Sequence, residues 1–242
     1  MSRYKITVQY DGRDLQGWQL QKTGRTVQGE LERALAVLNR GNRVAVSGAG
    51  RTDSGVHALG QAAHFDLETR LSANKLVKAI NGNISPDIRV VECQTVADDF
   101  HARFSATARS YRYQCRIDND ILARHYYWQI APPDFDLLQQ LAGDIMGRHD
   151  FSSYSKHNPA LDNYYCDIHQ SLWKKDDSVL IYYITANRFL HHMVRYLVGT
   201  MEAVAGGRIT RTDFLKQLNQ PGPGKKLFRA PSQGLILTRV KY

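Results

Sequence analysis

The run GAGRTDSGVHALGQAAHF, Gly48 to Phe65, sets one arginine, one aspartate and two histidines among four glycines. An acid beside a cation in so pliant a turn could cradle phosphate, cut peptides, hold a metal or act as a nucleophile. Spacing separates these. A phosphate loop needs a lysine after its second glycine, and none follows. The dinucleotide fingerprint would put Asp53 where the third glycine belongs, a carboxylate against a pyrophosphate. Asp-Ser-Gly also opens the loop of aspartic proteases, but those enzymes share one proton between two such carboxylates. This chain has one triplet, and Arg51 two residues away favours the ionised acid. His57 and His64 lack the spacing of a zinc-binding helix, and His191 and His192, taken as helical, point about 100° apart. A lone, ionised Asp53 near Arg51 remains. An opposite charge within about 4–6 Å lowers a carboxylate pKa by about 1–3 units, which suits a nucleophile. It suits a structural Asp–Arg pair bracing the loop equally well.

Two other stretches weigh on that choice. Asn187 to Gly207, NRFLHHMVRYLVGTMEAVAGG, predicts a long helix over Arg188 to Ala205. Three- and four-residue spacing lines Arg188, His192, Arg195 and Gly199 along one face, with Phe189, Met193, Leu197, Thr200, Met201 and Val204 on the other. That is an apolar face to bury and an arginine stripe to turn toward a cleft. In HARFSATARSYRYQCR, two-residue periodicity lays Tyr111 and Tyr113 on one face of a strand and Arg112 on the other. Aromatics flanked by arginines fit base stacking and phosphate contact, and paired tyrosines fit a sheet core as well.

The elements that must carry these residues alternate. Tyr4 to Tyr10 reads as a strand, followed by a turn in DGRDLQGW. Thr26 to Asn39 reads as a helix capped by Thr26, with Val27, Leu31, Ala34, Leu35 and Leu38 inward. VAVSGAG and GQAAHFDLE read as strands. Ser72 to Asn81 reads as a helix capped by Ser72, with Leu76, Val77 and Ile80 inward. Ile88 to Val96 and Arg109 to Ile117 read as strands. Strand, helix, strand, strand, helix, strand is the order of a split α/β unit with its helices on one face of an antiparallel sheet. The second half repeats a similar order: a helix in APPDFDLLQQLAGDIMG, strands over Asn163 to Trp173 and Val179 to Thr185, the arginine helix, a short helix over Thr210 to Leu218 and a closing strand in GLILTRVKY. PGPGKK, Pro221 to Lys226, reads as a basic surface loop. The expected architecture is α/β (α+β), with two ferredoxin-like, RRM-like halves, 1–105 and 106–242, around a basic central cleft.

A chain of 242 residues with a 43% hydrophobic share can bury a sizeable core, and its +9 charge favours a polyanion as partner. No apolar run reaches the roughly 18 residues of a membrane helix, and the opening residues enter strand alternation without a secretory segment. Three scattered cysteines argue against a disulfide framework or a zinc knuckle and fit a reducing cytoplasm.

With these residues in hand, the chain strongly resembles the tRNA pseudouridine synthases that act at positions 38–40 of the anticodon stem-loop. GRTDSGVHALGQAAHF is similar to that family's active loop, with Asp53 at its aspartate. KITVQYDGRDLQGWQLQ, TVQGELERAL, KLVKAINGNISPDIRV, FHARFSATARSYRYQ, HDFSSYSK, NRFLHHMVRYLVGTMEAVAGG and GLILTRV follow in the family's order. Ser54, Ala62 and Tyr154 depart mildly from the residues usual there. The resemblance implies isomerisation of uridine to pseudouridine in tRNA, with no cofactor and no metal. It implies catalytic roles for Asp53, for Tyr111 beside the detached uracil and for Arg195 as ion-pair partner of Asp53. Arg51, His57, Tyr111 and Arg188 would meet the RNA. It further implies a homodimer, with no membrane and no other protein partner. The same chemistry on another RNA, and a catalytically silent tRNA-binding module, are the competing readings.

Overall fold

The computed structural model describes residues 1–222 and 227–242, so Lys225 and most of the PGPGKK loop lie outside the described residues. It is a mixed α/β protein in two compact units, Met1–Thr107 with Ile236–Tyr242, and Ala108–Leu235.

The first unit is built on β1 (Ser2–Tyr10), whose alternating pattern buries Tyr4, Ile6, Val8 and Tyr10. After it come α1 (Val27–Leu38), the two-residue β2 (Ser47–Gly48), β3 (His57–Leu67), α2 (Ala73–Asn81) and β4 (Ile88–Val96). β1 pairs antiparallel with β3 on one side and β4 on the other, and β2 adds to β3. The expected order of elements is therefore observed. Thr26 caps α1 by accepting from the Gly29 amide, which satisfies one of the helix's unpaired N-terminal donors. Ser72 precedes α2 without a side-chain capping bond, and Val77 is only half-buried beside the buried Leu76 and Ile80. The strand expected across VAVSGAG shrinks to Ser47–Gly48. The buried Glu32 carboxylate accepts from the Val46 amide at 3.1 Å and pairs with Arg43, so a side chain takes the place of the ladder there.

The second unit has β5 (Ala108–Arg116), the short β6 (Trp128–Gln129), α3 (Phe135–Asp144), β7 (Gly147–Asp150), β8 (Tyr165–Asp176), β9 (Val179–Ala186), α4 (Met193–Ala205) and α5 (Arg211–Asn219). β9 lies between β5 and β8, both antiparallel to it, with β7 beyond β8 and β6 parallel to β5. Thr210 and Asp213 form a reciprocal capping box at α5.

Two expectations change. The closing strand β10 (Leu235–Lys241), assigned with the second half by its place in the chain, pairs in parallel with β3 and counts from Ile236 onward with the first unit. The predicted long helix begins only at Met193. Asn187 explains this: its side-chain oxygen accepts from the amides of Asp167 and Arg188, tying the end of β9 to β8. Arg188 to Leu190 then run irregularly, and His192 is left-handed at φ 65°. The rings of His191 and His192 lie with centroids 3.9 Å apart and planes tilted by 34°, so the helical separation assumed for them is absent.

Candidate active site

In the first unit the site grows from two segments that cross. The turn after β1, Asp11 to Trp18, runs beneath the loop that carries Asp53. Tyr10 and Thr52 join through their hydroxyls at 2.9 Å, and the Trp18 amide donates to the Thr52 carbonyl at 3.1 Å. Burial pushes the Tyr10 phenol up to about 12, so it stays neutral. Ser54 Oγ donates to the Leu15 carbonyl at 3.2 Å. On the far side, Gln61 Nε2 donates to the Gly50 carbonyl at 2.9 Å, and the Ala49 amide donates to Ala62.

Two glycines make this crossing possible. A Cβ on Gly17 (φ 81°) would sit 2.4 Å from the Thr52 carbonyl oxygen and 3.0 Å from the Asp53 carbonyl carbon. A Cβ on Gly12 would sit 2.2 Å from the Val56 carbonyl oxygen. Any other residue at either place would push the loop away. Within the loop, the Val56 amide returns to the Asp53 carbonyl at 3.2 Å, and Gly55 takes the positive φ of 79° that such a turn requires. Asp53 is thereby held half-buried at the start of a rigid turn.

Arg51 is exposed and, among the described residues, has no ion-pair partner. The Asp–Arg brace read from the spacing is replaced by backbone contacts with the Asp11–Trp18 turn. His57 is 4% exposed; its Nδ1 accepts from the Gly12 amide at 3.0 Å and lies 3.2 Å from Asp11 Oδ1. Its ring belongs to the crossing.

In the second unit the two tyrosines of β5 part ways. Tyr113 is core: fully buried, it donates to the Pro231 carbonyl at 2.8 Å, and burial holds its phenol well above the ordinary range. Tyr111 stays half-buried, with Phe189 edge-on at a centroid distance of 5.1 Å.

The arginine stripe is not observed. Arg188 lies ahead of α4, where it donates to the Asn163 carbonyl at 2.7 Å and touches Cys166. Arg195 is 9% exposed on a helix buried on nearly every side. Its Nε donates to the Ala230 carbonyl at 2.8 Å, and the Ala230 amide returns to the Arg195 carbonyl at 3.0 Å. One turn on, a Cβ at Gly199 would lie 2.3 Å from the Phe228 carbonyl oxygen. The segment Phe228 to Pro231 is thus seated by Arg195, Gly199 and Tyr113 together. The sequence reading missed Ala230, Gly12 and Gly17. The two glycines closing together on a tryptophan in DGRDLQGW were the available signal.

The first unit thus presents a half-buried acid on a preorganised loop, and the second, described by itself, a half-buried Tyr111 and a buried Arg195. Residues 6–105 and 141–242 match the family described as tRNA pseudouridine synthase. The tRNA pseudouridine synthase A of Latilactobacillus sakei is 36% identical over 99% of this chain and 98% of its own length. That of Rhodospirillum rubrum is 39% identical over 100% of this chain and 88% of its own. That of Chlorobium phaeovibrioides is 35% identical over 100% of both. This chain belongs to the tRNA pseudouridine synthase family and is an RNA isomerase.

Proposed function

We propose that this isomerase converts uridine to pseudouridine at positions 38, 39 and/or 40 of the tRNA anticodon stem-loop, with Asp53 as its essential carboxylate. The observation that carries the reading is the loop itself, which presents a half-buried acid and is fixed from both sides by backbone and side-chain hydrogen bonds. Such fixing is what a reacting group needs, because orientation removes much of the entropy cost of the step.

The N1–C1′ bond of uridine breaks, the detached uracil turns, and a C5–C1′ bond forms. C5 gives up its proton and N1 gains one, so product and substrate are isomers. An ionised Asp53 serves a covalent path by addition and a glycal path by abstraction at C2′. Arg195 keeps that acid charged and oriented. Tyr111 sits against the detached ring and takes the C5 proton, a task for which an ordinary phenol, with a pKa near 10, needs help from its site. The target base leaves its stack at a cost of a few kcal/mol, and Arg51 fills the space and meets phosphate. Arg188 is a further backbone contact. His57 serves by holding the Asp11–Gly12 turn rather than by touching RNA. The enzyme works as a cytoplasmic homodimer.

The test is release of tritium to water from tRNA transcript labelled at uridine C5, with neither metal nor cofactor added. Release that vanishes in Asp53→Asn, while tRNA affinity and Tm hold, supports the assignment, and mapping of the modified positions decides among 38, 39 and 40. Substantial turnover by that variant overturns the role of Asp53.

A further inference from the structure

Phe104 is 75% exposed, yet the short loop that displays it is among the most firmly tied in the first unit. The His101 amide donates to Ser105 Oγ at 3.0 Å, and the Ser105 amide donates to the His101 carbonyl at 2.9 Å. His101 Nδ1 accepts from the amides of Arg103 and Phe104, at 3.1 and 3.3 Å. Ala102 beneath is fully buried, its amide given to His64 Nδ1 at 3.1 Å and its carbonyl taken by the Tyr242 hydroxyl at 2.9 Å. A lone exposed apolar side chain is ordinary; one held out by so complete a scaffold is a preorganised surface.

The scaffold also forms an aromatic ladder. His64, buried, meets His101 with centroids 4.7 Å apart, and His101 meets Phe104 at 4.4 Å with planes tilted by 36°. The Arg103 guanidinium lies 5.5 Å from the Phe104 centroid. Phe100 to Arg109 contains two arginines and a histidine and no acid. Asp98 and Asp99, just before it, act on Arg3. A flat, weakly polar partner carrying negative charge at its rim fits the open end of this ladder.

We propose that Phe104 is a stacking platform for one unpaired nucleobase of the RNA substrate, outside the Asp53 loop. This rests on the reading of the chain as an enzyme of the anticodon arm. The probe is an anticodon stem-loop transcript, with affinity measured by titration across a range of salt concentrations and turnover by tritium release. Base–aromatic stacking is worth about 1–3 kcal/mol, so Phe104→Ala and Phe104→Leu should each weaken binding roughly 5- to 150-fold. The loss should fall on KM more than on kcat, and Phe104→Trp should restore it. The slope of log affinity against log salt should not change, because no phosphate contact is removed. One unpaired base, when replaced by an abasic residue, should cost the wild type that same factor and cost Phe104→Ala nothing further.

Binding by the leucine variant equal to wild type would overturn the proposal, since leucine keeps the apolar surface and lacks the π-face. So would unchanged affinity in the alanine variant, or a fall in its mass by light scattering, which would mark a contact between protein chains. Absence of tritium release from the wild type would count against the isomerase reading alone, because affinity is read independently of turnover.

Discussion

Gly17 lies so close to Thr52 that a single added carbon would come within 2.4 Å of the Thr52 carbonyl oxygen. The first turn of the chain and the loop of Asp53 therefore hold each other in place. Gly17→Ala meets both that clash and a positive φ, and should cost about 3 kcal/mol or more. A loop displaced by an ångström should also lose about 100-fold or more in turnover. Gly41 shares a positive φ of 86° but has nothing within 4 Å of an added Cβ. Gly41→Ala should cost about 1 kcal/mol and leave turnover intact. Thermal melts and tritium release on the two variants isolate the contact from the backbone strain.

Arg195 and Arg188 should separate sharply. Arg195→Lys loses the Nε–H that donates to the Ala230 carbonyl and leaves a buried acceptor unpaired, a cost of about 1–3 kcal/mol. In a chain of this size that is a fall of roughly 2–12 °C in Tm, and kcat should drop with it. Arg188→Ala breaks a partly exposed contact with Asn163, so Tm should hardly move while KM rises. Melting curves beside full kinetics would check both.

Two helical glycines should respond with opposite signs. Gly199→Ala on α4 drives a methyl into the Phe228 carbonyl and the Ala230 amide, at 2.3 and 2.6 Å, and should destabilise the second unit. Gly143 on α3 has open space around it, and Gly143→Ala should stabilise by about 0.5–1 kcal/mol through lower backbone entropy in the unfolded chain. Denaturant titrations of the pair give the two signs directly.

Acid should weaken the first unit through His64. Burial, with His101 and Arg3 nearby, lowers its pKa below the ordinary value; Asp66 and a backbone bond to Ser47 pull less strongly the other way. The unfolded chain then binds the proton more readily than the fold does. The stabilisation is complete above about 6.5, the unfolded value, and is lost as pH falls from there through the folded one. His64→Gln keeps an acceptor for the Ala102 amide and should flatten the fall in Tm below pH 6.5. An unchanged slope would remove His64 from the account.

Local signals carried much of this fold. Alternation marked β1 and β4, and three- and four-residue spacing with Thr26 marked α1 nearly to the residue. The Asp53 loop declared itself through its glycines. What failed was set by partners far away in the chain. Apolar spacing over Arg188 to Ala205 satisfies a helix throughout, but the Asn187 side chain claims two amides at its start and the turn at His192 delays it. Arg51 looked like the partner of Asp53 because it stands two residues away. The brace instead comes from Leu15, Gly17 and Trp18, whose nearness to the loop no spacing reveals.

The pairing of β10 with β3 sets an order of events during synthesis. Ile236 and Leu237 lie beside His57 and Ala58, the first residues after the Asp53 loop, and Tyr242 fastens Ala102 beneath the Phe104 loop. The whole second unit is translated between these partners. The strand that follows the Asp53 loop therefore waits without one neighbour while the ribosome makes everything from Ala108 to Leu235. Closing so long a loop is slow compared with forming local contacts. The Asp53 loop therefore gains the neighbour of its following strand only late in the life of the nascent chain, after the second unit has been made.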